Sequence, residues 1–379
     1  MEINYSASYL DWYSAEALRM NGTVLPNSES NIRRLMIRQP VGVCGFITPW
    51  NFPMGMFARK IAPAIAAGCS MVLKPAEDTP LSALAFAQLL TEVEAPSGLV
   101  NVVTCSHDNV ISVGDAMCDS PIIRKISFTG STRVGKLLYE KSASTVKRIS
   151  LELGGNAPFM VFNSADAKLA AKKAVMSGFR NTGQTCVCAE RIFVQEEIYD
   201  EFLKELKACV AELKIGDPLE PSTTISSVIN QRALDSIDDK VQDAREKGAT
   251  IVTGGRVAKE NSLYYEPTII TDCKPDMKCF NEEVFGPVVP IIKFKSETVG
   301  VLMANAHSSG LAGYIMSNDQ AQIWRVAEQL EVGIVGVNDH AVTNEMIPFG
   351  GIKESGLGRE GSIYGLDEYT EIKHLHLGL

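Results

Sequence analysis

The sequence predicts an α/β protein: a doubly wound, mostly parallel first domain, a second α/β domain, and a small β extension. Three observations predict this. Short apolar runs alternate with helical patterns from residue 41 to about 160. Strand and helix patterns continue from about 155 to 350. Two extended segments, 22–40 and 371–379, fall outside both cores.

The elements follow in order. Residues 4–20 read as an amphipathic helix with acidic and aromatic residues. Val41–Ile47 reads as a strand, 57–67 as a helix closed by Gly68, and 70–73 as a strand. Thr79-Pro80 opens a helix over Leu81–Glu92. Further strands fall at 100–104 and 122–128. In the second region, 165–178, 196–214, 229–248 and 320–331 are helical patterns. Strands are expected at 250–252, 264–271 and 333–337. The expected division is 1–21 as an N-terminal helix, 41–154 and 155–370 as the two domains, and 22–40 with 371–379 as strands. Such strands pair within the chain or with another subunit's sheet.

The 379 residues are 45% hydrophobic and 21% charged, with formal net charge −9. That balance excludes nucleic acid or an anionic membrane as the main partner. No run is long and apolar enough to read as a membrane span. The nine cysteines show no regular spacing, which points to a reducing compartment. The five histidines are dispersed, so no metal site is expected, and His374 and His376 read as an exposed strand face.

The chemistry concentrates at Asn181-Thr-Gly-Gln-Thr-Cys-Val-Cys188. Cysteine is most often a small buried hydrophobe. Cys44, Cys69, Cys105, Cys118 and Cys209 sit in apolar or helical runs and fit that reading. Cys186 follows Gly183, Gln184 and Thr185, a poor core segment and a good exposed turn. Upstream, Glu152 precedes a Gly-Gly turn, where a carboxylate can activate water. Thiol and carboxylate together suit a thioester that is made and then hydrolysed.

Other motifs follow strands. Thr48-Pro-Trp-Asn-Phe-Pro53 is a stiff loop around Asn51, whose amide can donate to a developing oxyanion. Lys74-Pro-Ala-Glu77 can reach ribose hydroxyls from a strand end, or be two surface charges. Phe128-Thr-Gly-Ser-Thr-Arg-Val-Gly135 runs from strand to helix, and Gly130 lets backbone amides approach a pyrophosphate. Lys136 after Gly135 brings it close to a triphosphate-binding loop, but Leu137 stands where a magnesium-binding hydroxyl belongs. As isolated residues Glu283 and Phe285 read as surface and core; as a site they suit a ribose and a flat ring.

These runs, with Pro348-Phe-Gly-Gly351, occur in the order of the aldehyde dehydrogenase superfamily, which the chain resembles from near its first residue to its last. Cys186-Val-Cys188, Phe179-Arg-Asn-Thr182 and the tail Pro348–Glu360 resemble the succinate-semialdehyde dehydrogenase subfamily. The resemblance implies Cys186 as nucleophile, Asn51 as oxyanion donor, and Glu152 as the base for thioester hydrolysis. It implies NAD as cofactor, with Thr48, Pro49, Trp50, Lys74, Glu77, Gly130, Ser131, Gly135, Leu153, Glu283 and Phe285 around it. Glu77 in this setting favours NAD, because a carboxylate binds a free 2′-hydroxyl and repels a 2′-phosphate. Arg59, Arg180 and Thr343 would hold a distal substrate carboxylate; without the resemblance, each arginine reads as a surface or ion-pair residue. Thr343 stands where the subfamily usually has serine. Cys188 suggests a redox partner for Cys186, provided that the loop bends.

The resemblance further implies a homo-oligomer, dimer or tetramer, acting on a small aldehyde. The compartment would be the mitochondrial matrix in an animal and the cytoplasm otherwise; no targeting segment is legible. Family members usually carry a longer N-terminal segment, which this sequence is expected to lack. A CoA-acylating enzyme, which typically lacks the glutamate, and a catalytically silent subunit are the competing expectations.

Overall fold

The computed structural model describes residues 2–379; Met1, the first residue of the expected 1–21 segment, lies outside them. The chain divides into two compact units. The first runs to Glu152 and adds Thr343–Gly350 and Gly356–Leu379. The second holds Leu153–Val342 and Gly351–Ser355.

In the first unit, α1 (Glu2–Glu16) packs its Tyr9 and Tyr13 beside α2 (Gly55–Ala67). Glu2 Oε1 accepts from the amides of Met54 and Gly55 at 2.6 and 2.8 Å. That carboxylate satisfies donors at a helix start, where the helix dipole favours negative charge. β1 (Thr23–Leu25) and β2 (Ile32–Pro40) form a hairpin. The C-terminal strand β18 (Thr370–Gly378) pairs antiparallel with the whole of β2. His374 and His376 are exposed on it, as expected.

The main sheet holds β3 (Val43–Ile47), β4 (Met71–Lys74), β5 (Val100–Val102), β6 (Ile123–Thr129), β7 (Arg148–Glu152) and the short β17 (Gly356–Leu357). Their order is β17-β7-β6-β3-β4-β5, parallel except at β17. The helices α2, α3 (Leu81–Glu92), α4 (Val110–Asp119) and α5 (Thr132–Ser142) provide the crossovers. The chain runs outward from β3 to β5 and then returns to β6 on the other side. β3 and β6 therefore flank a topological switch point, where parallel sheets bind ligands at strand carboxyl ends. Gly68 stops α2 with φ +86°, the left-handed cap that glycine adopts without strain. Cys44, Phe46, Phe57, Ile61, Met71 and Leu73 form the core, so α2 is fixed against β3 and β4 by apolar burial.

The second unit has the sheet order β10-β11-β12-β9-β8-β14-β15. Its strands are β8 (Ala157–Val161), β9 (Ala189–Gln195), β10 (Thr250–Thr253), β11 (Thr268–Thr271), β12 (Val288–Phe294), β14 (Ala312–Met316) and β15 (Ile334–Val337). All pairs are parallel except β10–β11. β13 (Ser309–Gly310) pairs separately with β16 (Ile352–Lys353). Helices α6 (Ala167–Gly178), α7 (Tyr199–Ala211), α8 (Gln231–Glu246), α9 (Lys278–Asn281), α10 (Glu297–Asn305) and α11 (Gln320–Gln329) complete the unit. Asp166 and Asn230 cap α6 and α8 through side-chain acceptors, which fixes where each helix starts. Phe162, Phe193, Ile237, Val241, Phe280 and Ile292 belong to its core. The expected extended run over 264–271 forms a strand only from Thr268, since 265 and 267 lie in an irregular approach.

Candidate active site

In the first unit, the expected residues line one edge of the sheet. Register places Ile47 opposite both Lys74 and Phe128, and Thr129 opposite Glu152. Thr48 N donates to Lys74 O at 3.1 Å, and Gly130 N donates to Glu152 O at 3.0 Å. The loop Thr48–Asn51, Lys74–Glu77, Gly130–Ser131 and Glu152 therefore all sit at the carboxyl ends of β3, β4, β6 and β7. In the loop, Asn51 Oδ1 accepts from Phe52 N at 3.1 Å, which assigns the amide oxygen to the loop and leaves donation to its nitrogen. Ser131 caps α5 by accepting from Val134 N at 3.4 Å, and Gly135 is buried inside that helix.

Lys74 is buried and ion-paired to Glu77; its Nζ also donates to Pro75 O at 3.1 Å. Cys105 Sγ lies 3.8 Å from Glu77 Oε1, and His107 bonds Asp78 at 3.1 Å. Cys105 is only half-buried, as is Cys209, unlike the fully buried Cys44, Cys69 and Cys118.

Glu152 is buried, with Oε2 lacking a hydrogen-bond donor among the described residues. Burial, and then the negative charge of Glu360, hold its carboxyl well above the usual range. A carboxyl so raised is a better base near neutral pH than an ordinary glutamate. Glu360 pairs with Lys60 Nζ at 2.5 Å and Arg59 at 2.7 Å. Arg59 is 2% exposed, and its guanidinium carbon lies 3.7 Å from the Phe349 ring centre. Arg59 is thus ion-paired to Glu360 and stacked on Phe349. Thr343 is half-buried in the same unit.

The second unit assembles the cysteine loop from backbone contacts. Asn181 and Thr182 hold left-handed φ values of +52° and +58°, and for a β-branched threonine that is strained backbone. Gly183 lies so close to Gly286 that an added Cβ would meet its carbonyl oxygen at 1.9 Å. A Cβ at Gly155 would meet Cys186 O at 2.2 Å. Glu283 Oε1 accepts from Gly155 N at 2.9 Å. Three turns thus converge at Cys186: Leu153–Gly155, Asn181–Cys188 and Glu283–Pro287. They lead into β8, β9 and β12, at the amino ends of parallel strands. Leu153 itself is buried, its N–H donating to Ser355 O at 2.9 Å.

The loop is less exposed than its composition predicts. Gln184 and Thr185 are each 4% exposed, while Cys186 is half-buried. Gln184 Oε1 accepts from Ile229 N at 2.9 Å, and Thr185 Oγ1 donates to Arg180 O at 3.3 Å. Their polar atoms are satisfied internally, which is how polar residues tolerate burial. Cys188 N donates to Thr185 O at 2.9 Å, so the segment does bend. Cys188 is buried, with Sγ 3.8 Å from Arg180 O, and burial pushes its thiol up. Neither Cys186 nor Cys188 is in a disulfide. Arg180 is half-buried at the start of this loop.

Sequence reasoning missed several residues. Tyr314 Oη donates to Val187 O at 2.6 Å from β14, pinning the Cys186 loop. Lys60 and Glu360 lie three hundred positions apart. No local signal in the sequence links either set.

The first unit is a doubly wound sheet with its motifs along the carboxyl edge, and the second packs the Cys186 loop against the turn that carries Glu283, an arrangement of the oxidoreductase class. The family model for the aldehyde dehydrogenase family matches residues 1–375, and the chain belongs to that family. It is an oxidoreductase acting on aldehydes. Mitochondrial succinate-semialdehyde dehydrogenase of Homo sapiens is 50% identical over 378 residues, covering all of this chain and 71% of that protein. The Escherichia coli protein named succinate-semialdehyde dehydrogenase [NADP(+)] GabD is 47% identical, with 78% of it covered. The crystal structure of succinate-semialdehyde dehydrogenase from Burkholderia pseudomallei superposes at TM-score 0.97, with 48% identity over all of this chain and 78% of that one. Betaine aldehyde dehydrogenase from Staphylococcus aureus in complex with NAD+ superposes at 0.95, with 35% identity and coverage of 100% and 75%. Among the described residues no helix is long and apolar enough to cross a membrane.

Proposed function

We propose that the protein oxidises succinate semialdehyde to succinate with NAD. The observation that carries this reading is the convergence of Gly155, Glu283 and the strained Arg180–Cys188 loop on Cys186. The Cys186 thiolate attacks the aldehyde carbon; the S–C bond forms and the carbonyl oxygen takes the negative charge. An unperturbed thiol is only about 3% ionised at pH 7, so a base must first take its proton. The Asn51 amide and the Cys186 N–H donate to that oxyanion. NAD, when bound, supplies the hydride acceptor. Cys186 then holds a thioester, and ionised Glu152 takes a proton from water as the water oxygen attacks the acyl carbon. The C–S bond breaks, the thiolate is regenerated, and the acid leaves.

The residues fit NAD. Glu77 lies in the turn beyond β4 as an acceptor for ribose hydroxyls, and it would repel a 2′-phosphate. Lys74, Ser131, Gly130 and the start of α5 serve the phosphates and ribose, with Thr48, Pro49 and Trp50 alongside and Gly135 and Leu153 as backbone supports. Glu283 and Phe285 take the nicotinamide ribose and ring. Arg59, Arg180 and Thr343 hold the distal carboxylate, with Arg59 oriented by its pair with Glu360. The β1-β2-β18 sheet joins a second copy.

The test is NADH formation by reduced protein with succinate semialdehyde, against acetaldehyde and against NADP. Preference for the semialdehyde and for NAD is expected. No turnover with the semialdehyde, alongside turnover of acetaldehyde, removes the carboxylate clamp; preference for NADP removes the role given to Glu77. Peroxide should convert Cys186 and Cys188 to an inactivating disulfide with release of water, reversed by dithiothreitol. Full activity with the pair shown closed would refute that switch.

A further inference from the structure

Glu190 is the second residue of β9, four positions beyond Cys186, and the chemistry above does not use it. Its side chain is buried, at 4% exposure. Oε2 accepts from Val284 N at 2.9 Å, and Oε1 accepts from Phe285 N at 2.8 Å. One carboxylate thus holds two consecutive amides, one on each oxygen. Both amides belong to the turn that carries Glu283 and Phe285.

That turn needs restraint. Phe285 adopts φ +54°, a left-handed conformation that is unfavourable for an aromatic residue and persists only where the surroundings enforce it. Glu283 reaches across to Gly155 N at 2.9 Å, and Gly286 presses on Gly183. The charged groups facing Glu190 are Glu283 on the turn and Lys240 on α8, whose Nζ donates to Ser236 Oγ at 2.7 Å. A buried acid is costly where shape alone is required. Burial and Glu283 push the Glu190 carboxyl up to about 8, while the two amides oppose that rise by favouring the ionised form.

We infer that Glu190 is a positioning residue for the cofactor: by clamping Val284 N and Phe285 N it fixes Glu283 and Phe285 on the strand that follows the nucleophile loop. The turn before β12 is thereby tied to β9, the strand into which the Cys186 loop leads. The inference rests on the reading of Glu283 and Phe285 as the nicotinamide-side contacts.

The experiment compares Glu190→Ala, Glu190→Gln and Glu283→Gln by steady-state kinetics, with thermal melts to establish folding. Losing both acceptors in Glu190→Ala should raise KM for NAD at least about tenfold, since two backbone amides of the turn lose their partners. KM for the aldehyde should stay within about twofold, because the clamp touches neither the thiol nor Arg180. Glu190→Gln keeps one acceptor and the volume, so it should fall between wild type and alanine. If Glu190→Ala does not fold, the glutamine variant carries the same split. A folded Glu190 variant with unchanged KM for NAD, or with both KM values raised equally, overturns the clamp. Failure of the underlying reading looks different: Glu283→Gln would then bind NAD as wild type does. A rise in Glu190→Ala alone would keep the clamp, acting through Phe285, and remove Glu283 from the ribose.

Discussion

The first unit presents its candidate site residues at the carboxyl ends of parallel strands, the second at the amino ends. The two edges are also built differently. On the first, side-chain charges are already paired: Lys74 with Glu77, and Lys60 and Arg59 with Glu360. On the second, main-chain atoms touch, and glycines at 155 and 183 are required because any Cβ would collide. Paired charges can be retuned one residue at a time. Close backbone contacts tolerate almost no change, which suits a nucleophile that must stay within a fraction of an ångström of its reacting geometry.

Substitutions should expose this contrast, most severely at the nucleophile. Cys186→Ala should lower aldehyde-dependent NADH formation by about 10⁴-fold or more, since the covalent route is lost. Equal rates in the two proteins would remove Cys186 from the mechanism.

Glu152→Gln should cost about 10²–10⁴-fold in turnover. Stopped-flow should still show a first burst of NADH, because thioester formation precedes the step that needs Glu152. The sign of the pH dependence follows from burial. A base works ionised, and Glu152 is held above the ordinary carboxyl range, so wild-type turnover should fall on the acid side nearer neutrality than an ordinary glutamate would allow. A limb near an ordinary carboxyl value would contradict the raised Glu152.

Gly155→Ala inserts a methyl 2.2 Å from Cys186 O and should cost about 1–3 kcal/mol by calorimetry, with a larger proportional loss of turnover. On the other edge, Glu77→Ser should change stability little and move cofactor preference toward NADP by about tenfold, read as the ratio of kcat/KM values. If the two glycine and glutamate substitutions had equal effects on stability, the distinction between a backbone-built and a charge-built edge would fail.

Much was legible along the chain. Helix 81–92 lies where Thr79-Pro80 and the apolar spacing put it, and Gly68 ends α2 as expected. The parallel alternation over 41–160 predicts the first sheet, because hydrophobic periodicity and turn residues are local signals. Motifs that follow strands could be recognised for the same reason. Exposure of the cysteine loop was misjudged: Gln184 and Thr185 look like surface residues, yet Ile229 N and Arg180 O satisfy them inside. The pairing of Arg59 with Glu360, distant in sequence, had no local signal either.

The sequence by itself determined the strand-helix alternation of the first sheet up to residue 128, the order of the motifs and the family to which they belong, since each is written in contiguous residues; the central strands β8, β9, β12 and β14 of the second sheet were not legible in it. Tertiary structure alone decided that unit two uses the amino edge of its sheet, that Glu360 neutralises Lys60 and Arg59, and that Glu190 grips the Val284–Phe285 backbone. Those contacts join residues tens to hundreds of positions apart, and burial turns each from a surface charge into a partnered one.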